Sequence, residues 1–470
     1  MAISSPGLAS GIDIKGIVSQ LVALERAPLT QLQSQASGFQ AKLSVFGTIT
    51  SMVSALGDAG AKLAAANTFS AVKASTSQPE FVTVSVAEGT TPTALSLEVI
   101  SLAKAQSTAS ASVPVGSGMG SGSLTISLGD WSSGTFAAGS ATPVTINVVD
   151  GQDKLTDIAA QINATNAGVT ATVLRDEAGE RLLMRSRDTG EALGYEVSVT
   201  DSDAGDGKDL GRLAFTSLAG SGMSLTQAGT NAVAKVNGVT IESASNTVKD
   251  ALPGITLNLL KPTTSAADIT VSHDKDSMRK AVQSFVDAYN ALADMLATST
   301  KYDPATKTKG SLQGDSTAVG LQRALRSMMR SETPGGAFVR LSDVGVEFKS
   351  DGKMAIISTK LDAALDKPSE LARLFGAATD NPTLKGFGLK LDSFADGLVA
   401  ADGTLSSRTA SLRSAIDRNS KEMDKVVDRA ARAETRYLAQ YNAMDAMVAK
   451  MNSLNAYVAQ QITLWNKNTG

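Results

Sequence analysis

The fold is decided by a stretch near the end of the chain, YLAQYNAMDAMVAKMNSLNAYVAQQITLW at residues 437–465. Its large side chains recur at alternating steps of four and three residues, and one member of the set, Asn455, is an amide. This spacing keeps the side chains on one face of an α-helix and is typical of a coiled coil. We call this face the C-terminal seam, and it consists of Tyr437, Tyr441, Met444, Val448, Met451, Asn455, Val458, Ile462 and Trp465.

A second seam with the same alternation lies near the start of the chain. This N-terminal seam consists of Leu32, Ala36, Phe39, Leu43, Phe46, Thr50 and Val53. It belongs to a pattern that predicts a helix over residues 12–66, which we expect Pro28 to break or kink. The first turns of this helix carry a predicted apolar face of Ile14, Ile17, Val18, Leu21 and Leu24. Two matching seams predict that the terminal helices meet in a helical stalk.

The region between the two helices has strand character. From about residue 76 the apolar period changes to two, which indicates half-buried strands. Asn237-Gly238, between Val236 and Val239, predicts a two-residue hairpin because both turn residues accept a positive φ. Residues 107–142 are rich in Ser and Gly and predict a loop or a domain junction. Helical patterns return at Asp276 and continue, apart from one small hairpin, to near the end of the chain.

The predicted fold is an α+β multidomain one. The terminal helices form a coiled-coil or helical-bundle base, and β-rich head domains are inserted between the helical halves. The predicted domains are terminal coiled-coil legs (1–42 and 432–470), a helical bundle with a small hairpin (43–75 and 273–431), a β-rich head domain (76–110 and 226–272) and a second β-rich head domain (111–225).

Composition excludes several kinds of function. The net charge is −3, so no basic field points to nucleic acid or to an anionic membrane. The absence of cysteine excludes disulfides, thiol nucleophiles and cysteine-ligated metals. No apolar run reaches the roughly 18–20 residues that span a bilayer, and we expect no cleaved signal peptide.

Candidates for chemistry are few. His273, at a predicted strand-to-helix junction, is the single histidine of the chain. One interpretation is a surface or capping residue. The alternative is a member of a catalytic triad, but no nucleophile-elbow motif accompanies it. The segment Asp201–Gly207 is similar to a calcium loop but misses its register, so a solvated acidic loop is the simpler interpretation. We therefore predict no enzyme activity, no cofactor and no catalytic, cofactor-binding or metal-binding residues.

Several motifs resemble those of the flagellar filament-capping family, hook-associated protein 2. The string Pro6-Gly7-Leu8-Ala9-Ser10-Gly11-Ile12-Asp13 is similar to the opening of that family, and Tyr437 to Gln461 is similar to its end. Asp157 to Val173 resembles a short repeat shared by flagellin-like and hook-associated proteins. Further matches are Val344-Gly345-Val346, Asp351-Gly352-Lys353-Met354, Lys360-Leu361-Asp362-Ala363-Ala364-Leu365 and Leu374-Phe375-Gly376.

The resemblance implies a protein that leaves through the flagellar export apparatus and sits outside the cell at the distal filament tip. It implies a ring of identical chains, a pentamer or hexamer, that promotes flagellin folding and polymerisation and prevents flagellin loss. Implied partners are further copies of the chain, flagellin, the export machinery and an export chaperone at the C-terminal helix, with no nucleic acid and no membrane insertion. The alternative is a surface adhesin whose head domains bind host mucin or another matrix.

The two seams supply the candidate site residues for self-association or flagellin contact. Each seam could be buried within the chain's own stalk, or it could pair with another chain. These two interpretations do not exclude each other. Asn455 is expected to set register or oligomeric state, as polar seam residues do. The candidates are Leu32, Phe39, Leu43 and Phe46 of the N-terminal seam and all nine residues of the C-terminal seam.

Overall fold

A computed structural model describes residues 13–203, 208–220, 222–382 and 384–468. The chain divides into two compact units. The helical unit comprises Met1–Phe69 and Ser277–Gly470, and the β unit comprises Ser70–Asp276. The predicted α+β class, with β structure inserted between two helical halves, is confirmed.

The chain enters the helical unit through one long helix, α1 (Ile14–Ala64). Asp13 caps its start by accepting a hydrogen bond from the Gly16 N–H at 2.9 Å. The predicted break at Pro28 is wrong, because α1 is helical on both sides of this residue. Tertiary packing on both sides of Pro28 offsets its missing N–H. Before it, Val22 is buried against α8 (Thr404–Asn468), and after it, Phe46 is buried in the helical core.

The described residues of the β unit form short strands, one α-helix and two short 3-10 helices. Its elements are β1 (Val72–Thr76), β2 (Val82–Val86), β3 (Thr93–Ser101), β4 (Ser107–Ala109), β5 (Gly122–Asp130), β6 (Ala137–Ala138), β7 (Val144–Val148), α2 (Leu155–Ala164), β8 (Val169–Asp176), β9 (Gly179–Ser186), β10 (Gly194–Asp201), β11 (Ser224–Gln227), β12 (Ala232–Val236), β13 (Val239–Ser243), β14 (Thr247–Leu252), β15 (Ile255–Leu259) and β16 (Ala267–His273).

These strands enclose two separate cores. The sheets β1-β16-β3-β12-β13 and β14-β15-β2 share one apolar cluster. The sheet of β5 with β6, β7 and β10, the sheet β11-β4-β9-β8 and helix α2 share the other. The predicted hairpin at Asn237-Gly238 is confirmed, with φ angles of 49° and 85° between β12 and β13.

The prediction of a loop over residues 107–142 is wrong in its middle. There β5 pairs with both β7 and β10 and buries Leu124 and Ile126. Serine and threonine at the alternate positions give this strand a loop-like composition, while its alternation of apolar and polar residues is that of a half-buried strand.

The rest of the helical unit follows the β unit in the chain. Its elements are α3 (Lys275–Thr300), β17 (Tyr302–Asp303), β18 (Thr308–Lys309), α4 (Ser316–Met329), β19 (Val346–Phe348), β20 (Met354–Ile356), α5 (Ser358–Leu365), α6 (Pro368–Gly376), α7 (Phe387–Val399) and α8. The helices bury one large apolar cluster, in which Phe285 and Phe375 each pack edge-on against Phe387. This cluster is the base from which the ends of α1 and α8 extend.

Glycines on α1 allow α7 to approach closely. A Cβ placed on Gly60 would lie 3.0 Å from the carbonyl oxygen of Gly388 and 3.0 Å from a methyl of Leu391. Gly47, on the same helix, has no atom within 4 Å of the corresponding position. Close packing of α1 on α7 therefore depends on Gly60 but not on Gly47.

We expect alanine at these two glycines to act in opposite directions. Gly60→Ala should lower the unfolding free energy by about 1–3 kcal/mol because backbone must move. Gly47→Ala should raise it by about 0.5–1 kcal/mol through helix propensity alone. Scanning calorimetry of the full chain measures both, and a destabilised Gly47→Ala variant would contradict the assignment of Gly47 to open space.

Candidate functional site on the terminal helices

The two terminal helices run antiparallel, and two contacts fix their register. The Arg408 guanidinium lies 5.8 Å from the centroid of the Phe46 ring. Asn419 Nδ2 donates a hydrogen bond to Gln35 Oε1 at 3.3 Å. Between these contacts α1 runs back from Phe46 to Gln35 while α8 runs forward from Arg408 to Asn419, so the two helices advance by the same number of residues in opposite directions. Continued at the same rate, this register brings the first turns of α1 opposite the beginning of the C-terminal seam.

That contact forms a small apolar cluster of its own. Ile14, Val18 and Val22 are buried against Ala430 of α8. The predicted apolar face of α1 was therefore partly wrong: Val22 replaces Leu24, whose side chain is 70% exposed. A helix with one neighbour buries a narrow stripe at steps of four residues, so the flanking apolar positions stay accessible. Tyr437, Leu438 and Tyr441 complete the cluster as partly buried neighbours.

Beyond Tyr441 most of the C-terminal seam is exposed. Val448 is half-buried, and Met444 and Asn455 are exposed. The exposed fractions of the remaining members are 59% for Met451, 47% for Val458, 52% for Ile462 and 73% for Trp465. From Met444 to Trp465 the helix rises about 30 Å. An apolar face of this length is a feature of interaction sites on soluble proteins.

The exposed face is wider than the predicted seam. Met447, Leu454, Tyr457 and Leu464 flank it and are 49–67% exposed. The sequence pattern missed them because it followed a strict two-residue-per-heptad seam, the signature of a single partner helix. A search for apolar residues on either side of the seam would have found them. We call the seam from Met444 onward, together with these four residues, the α8 face.

The N-terminal seam has different surroundings. Phe46 is fully buried in the helical core. Phe39 and Leu43 are half-buried against that core, and Leu32 is half-buried. The structure thus brings Tyr437 and Tyr441 to the start of α1, and it places the N-terminal seam beside the first half of α8 rather than beside the α8 face.

A buried ion pair holds the base of α8. Asp315 caps α4 by accepting hydrogen bonds from the N–H groups of Thr317 and Ala318 at 3.0 and 3.4 Å. Its other oxygen accepts a hydrogen bond from an Arg408 terminal nitrogen at 2.5 Å. The Asp315 side chain is 1% exposed, and that of Arg408 is 32% exposed. Since Arg408 also lies over Phe46, this one side chain ties α8 to both α4 and α1.

The residues considered for chemistry lie elsewhere. His273 ends β16, where it pairs with Val72 of β1, and it is half-buried. In the segment Asp201–Gly207, residues 204–207 lie outside the described residues, and hydrogen bonds from Ser121 lower the pKa of the Asp203 carboxyl. In the described ranges, no group of three His, Cys, Asp or Glu side chains could hold a metal ion.

The chain matches known proteins along most of its length. Residues 10–106 and 229–453 match the family models for the N-terminus and the C-terminus of flagellar hook-associated protein 2. Flagellar hook-associated protein 2 of Escherichia coli O157:H7 is 30% identical over 474 residues, which are 98% of each chain. The chain belongs to the flagellar hook-associated protein 2 family. The A-type protein of this family from Pseudomonas aeruginosa is 31% identical and covers 97% of this chain and 96% of its own.

A solved structure of this family agrees with the fold. The D1-D2-D3 domains of the flagellar cap protein FliD from Escherichia coli superpose with a TM-score of 0.60 and 28% identity, covering 78% of this chain and 99% of that one. Residues 123–188 match the flagellin hook IN motif, which includes the segment Asp157 to Val173. These matches give no support to the adhesin alternative. No helix within the described ranges is apolar enough over a sufficient length to cross a bilayer.

The opening string of the family resemblance, Pro6 to Ile12, lies outside the described residues. Asp13, which ends it, is the cap of α1.

Proposed function

We propose that this chain caps the bacterial flagellar filament at its distal tip, outside the cell, as a structural protein without catalytic activity. It promotes the folding and polymerisation of flagellin and prevents the loss of unpolymerised subunits while the filament grows. Membership of the hook-associated protein 2 family over nearly the whole chain is the observation that carries this proposal.

The α8 face supports a role in assembly. From Met444 to Leu464 its apolar side chains are exposed or half-buried, so water would cover most of a stripe about 30 Å long. Identical chains that meet head to tail around an axis would cover it in a closed ring. We propose that residues 1–42 and 432–470 are the legs that make these contacts and touch flagellin, and that the ring is a pentamer or a hexamer.

The same face accounts for the proposed export route. A helix without tertiary contacts is marginal in water, so the end of α8 gains most of its order from a partner. It would pass the flagellar export apparatus unfolded and become ordered at the tip. Before export, an apolar face of this size needs cover, and we propose an export chaperone at α8 as that cover.

Deletion of the gene in the source bacterium tests the proposal. We expect short or missing filaments and a rise of monomeric flagellin in the medium, both restored by the full chain. Electron microscopy measures filament length, and immunoblotting of the medium measures lost flagellin. Normal filaments together with lost binding to mucin would contradict the cap and favour the adhesin.

A further inference from the structure

The exposed methionines among the described residues are concentrated at one place. The chain contains 14 methionines. Among the described residues, three of them are exposed: Met444 at 38%, Met447 at 67% and Met451 at 59%. The other described methionines, such as Met278 and Met354, are buried or half-buried.

All three side chains lie on the α8 face. Their spacing of three and four residues places them on one side of two helical turns. Met447 and Met451, together with Leu454 and Tyr457, line a shallow groove along this part of the helix. Leucine would give the same burial and the same helix propensity without a reactive atom. Of the groups on this surface, the thioether sulfur is the one that dilute hydrogen peroxide oxidises fastest.

We infer that Met444, Met447 and Met451 form an oxidation site at which peroxide switches off the α8 face. In each reaction a sulfur lone pair attacks one oxygen of hydrogen peroxide and the O–O bond breaks. An S–O bond forms, giving methionine sulfoxide, and the second oxygen leaves as water after proton transfer. The sulfur loses two electrons and the peroxide is reduced by two, so the step needs no other reactant.

The consequence concerns chains that have not yet assembled. A sulfoxide is a strong acceptor, and covering it with an apolar partner leaves it without a hydrogen bond. Once a second copy of the chain covers the face, the same cover excludes peroxide. The effect of oxidation on assembly rests on the proposed function. The selective oxidation of these three methionines rests only on the exposure of their side chains.

Mass spectrometry tests the selectivity. The full chain is treated with dilute hydrogen peroxide, quenched and cleaved with trypsin. We expect early oxidation in the peptides Tyr437–Lys450 and Met451–Lys467, while Met354–Lys360, with its buried methionine, stays reduced. Equal oxidation rates in the three peptides of the folded chain would overturn the inference.

Two triple variants test whether oxidation of the α8 face prevents self-association. Light scattering measures the oligomer mass. Leucine at Met444, Met447 and Met451 should preserve self-association after peroxide treatment. Glutamine at the same positions should weaken it without peroxide, by at least about tenfold, as should peroxide acting on the original chain. Peroxide-treated chain that associates as well as untreated chain would overturn the switch. An untreated chain that fails to associate contradicts the proposed ring instead, and the mass spectrometry still decides the oxidation site.

Discussion

Glutamine at Leu454, Val458 and Ile462 is expected to abolish assembly of the proposed ring while leaving the fold of both units intact. These side chains are 62%, 47% and 52% exposed, so the isolated chain loses little contact when they change. In an assembled ring each buried apolar side chain contributes on the order of 1.5 kcal/mol. Three substitutions would then weaken each interface by about three orders of magnitude.

Helix propensity cannot account for this expected loss, since glutamine is a better helix former than valine or isoleucine. The matched control places three glutamines on the opposite side of the same helix, at Ser453, Ala456 and Thr463, all of which are exposed. Sedimentation velocity gives the oligomer mass of both variants, and circular dichroism gives their helix content. Assembly by the first variant at the same concentration as the original chain would show that the α8 face is not the ring contact.

Sequence periodicity predicted the long helices well because each carries one apolar stripe over many turns. It also predicted β12–β13 through Asn237-Gly238, where turn chemistry is local. It erred where tertiary contacts decide the outcome. Pro28 stays helical because packing on both sides holds α1, and the sequence around Pro28 contains no sign of that packing.

The candidate site was likewise predicted in part from local sequence and in part decided by tertiary contacts. The C-terminal seam could be read from its own spacing, but the register of α1 against α8 could not. It depends on pairs distant in sequence, Phe46 with Arg408 and Gln35 with Asn419. Only this register shows that the contact between α8 and the described residues of α1 ends near Tyr441, beyond which most of the seam is exposed.

The largest loss of stability is expected from Arg408→Met. Methionine keeps an apolar stem beside Phe46 but leaves the Asp315 carboxylate, 1% exposed, without its cation. Removing one partner of a buried pair costs about 3–5 kcal/mol. We expect about 3 kcal/mol, at the lower end, because Asp315 keeps two backbone N–H donors. Urea unfolding of the full chain, followed by tyrosine fluorescence and circular dichroism, measures the change.

Asp315→Asn is the matched control, because asparagine still caps α4 and Arg408, 32% exposed, can turn its charge to water. Its cost should be near 1 kcal/mol, and the double variant should be more stable than Arg408→Met alone, since no buried charge remains. A loss in the single variant equal to that of the double variant would mean that Arg408 holds α8 through its contact with Phe46 rather than through Asp315.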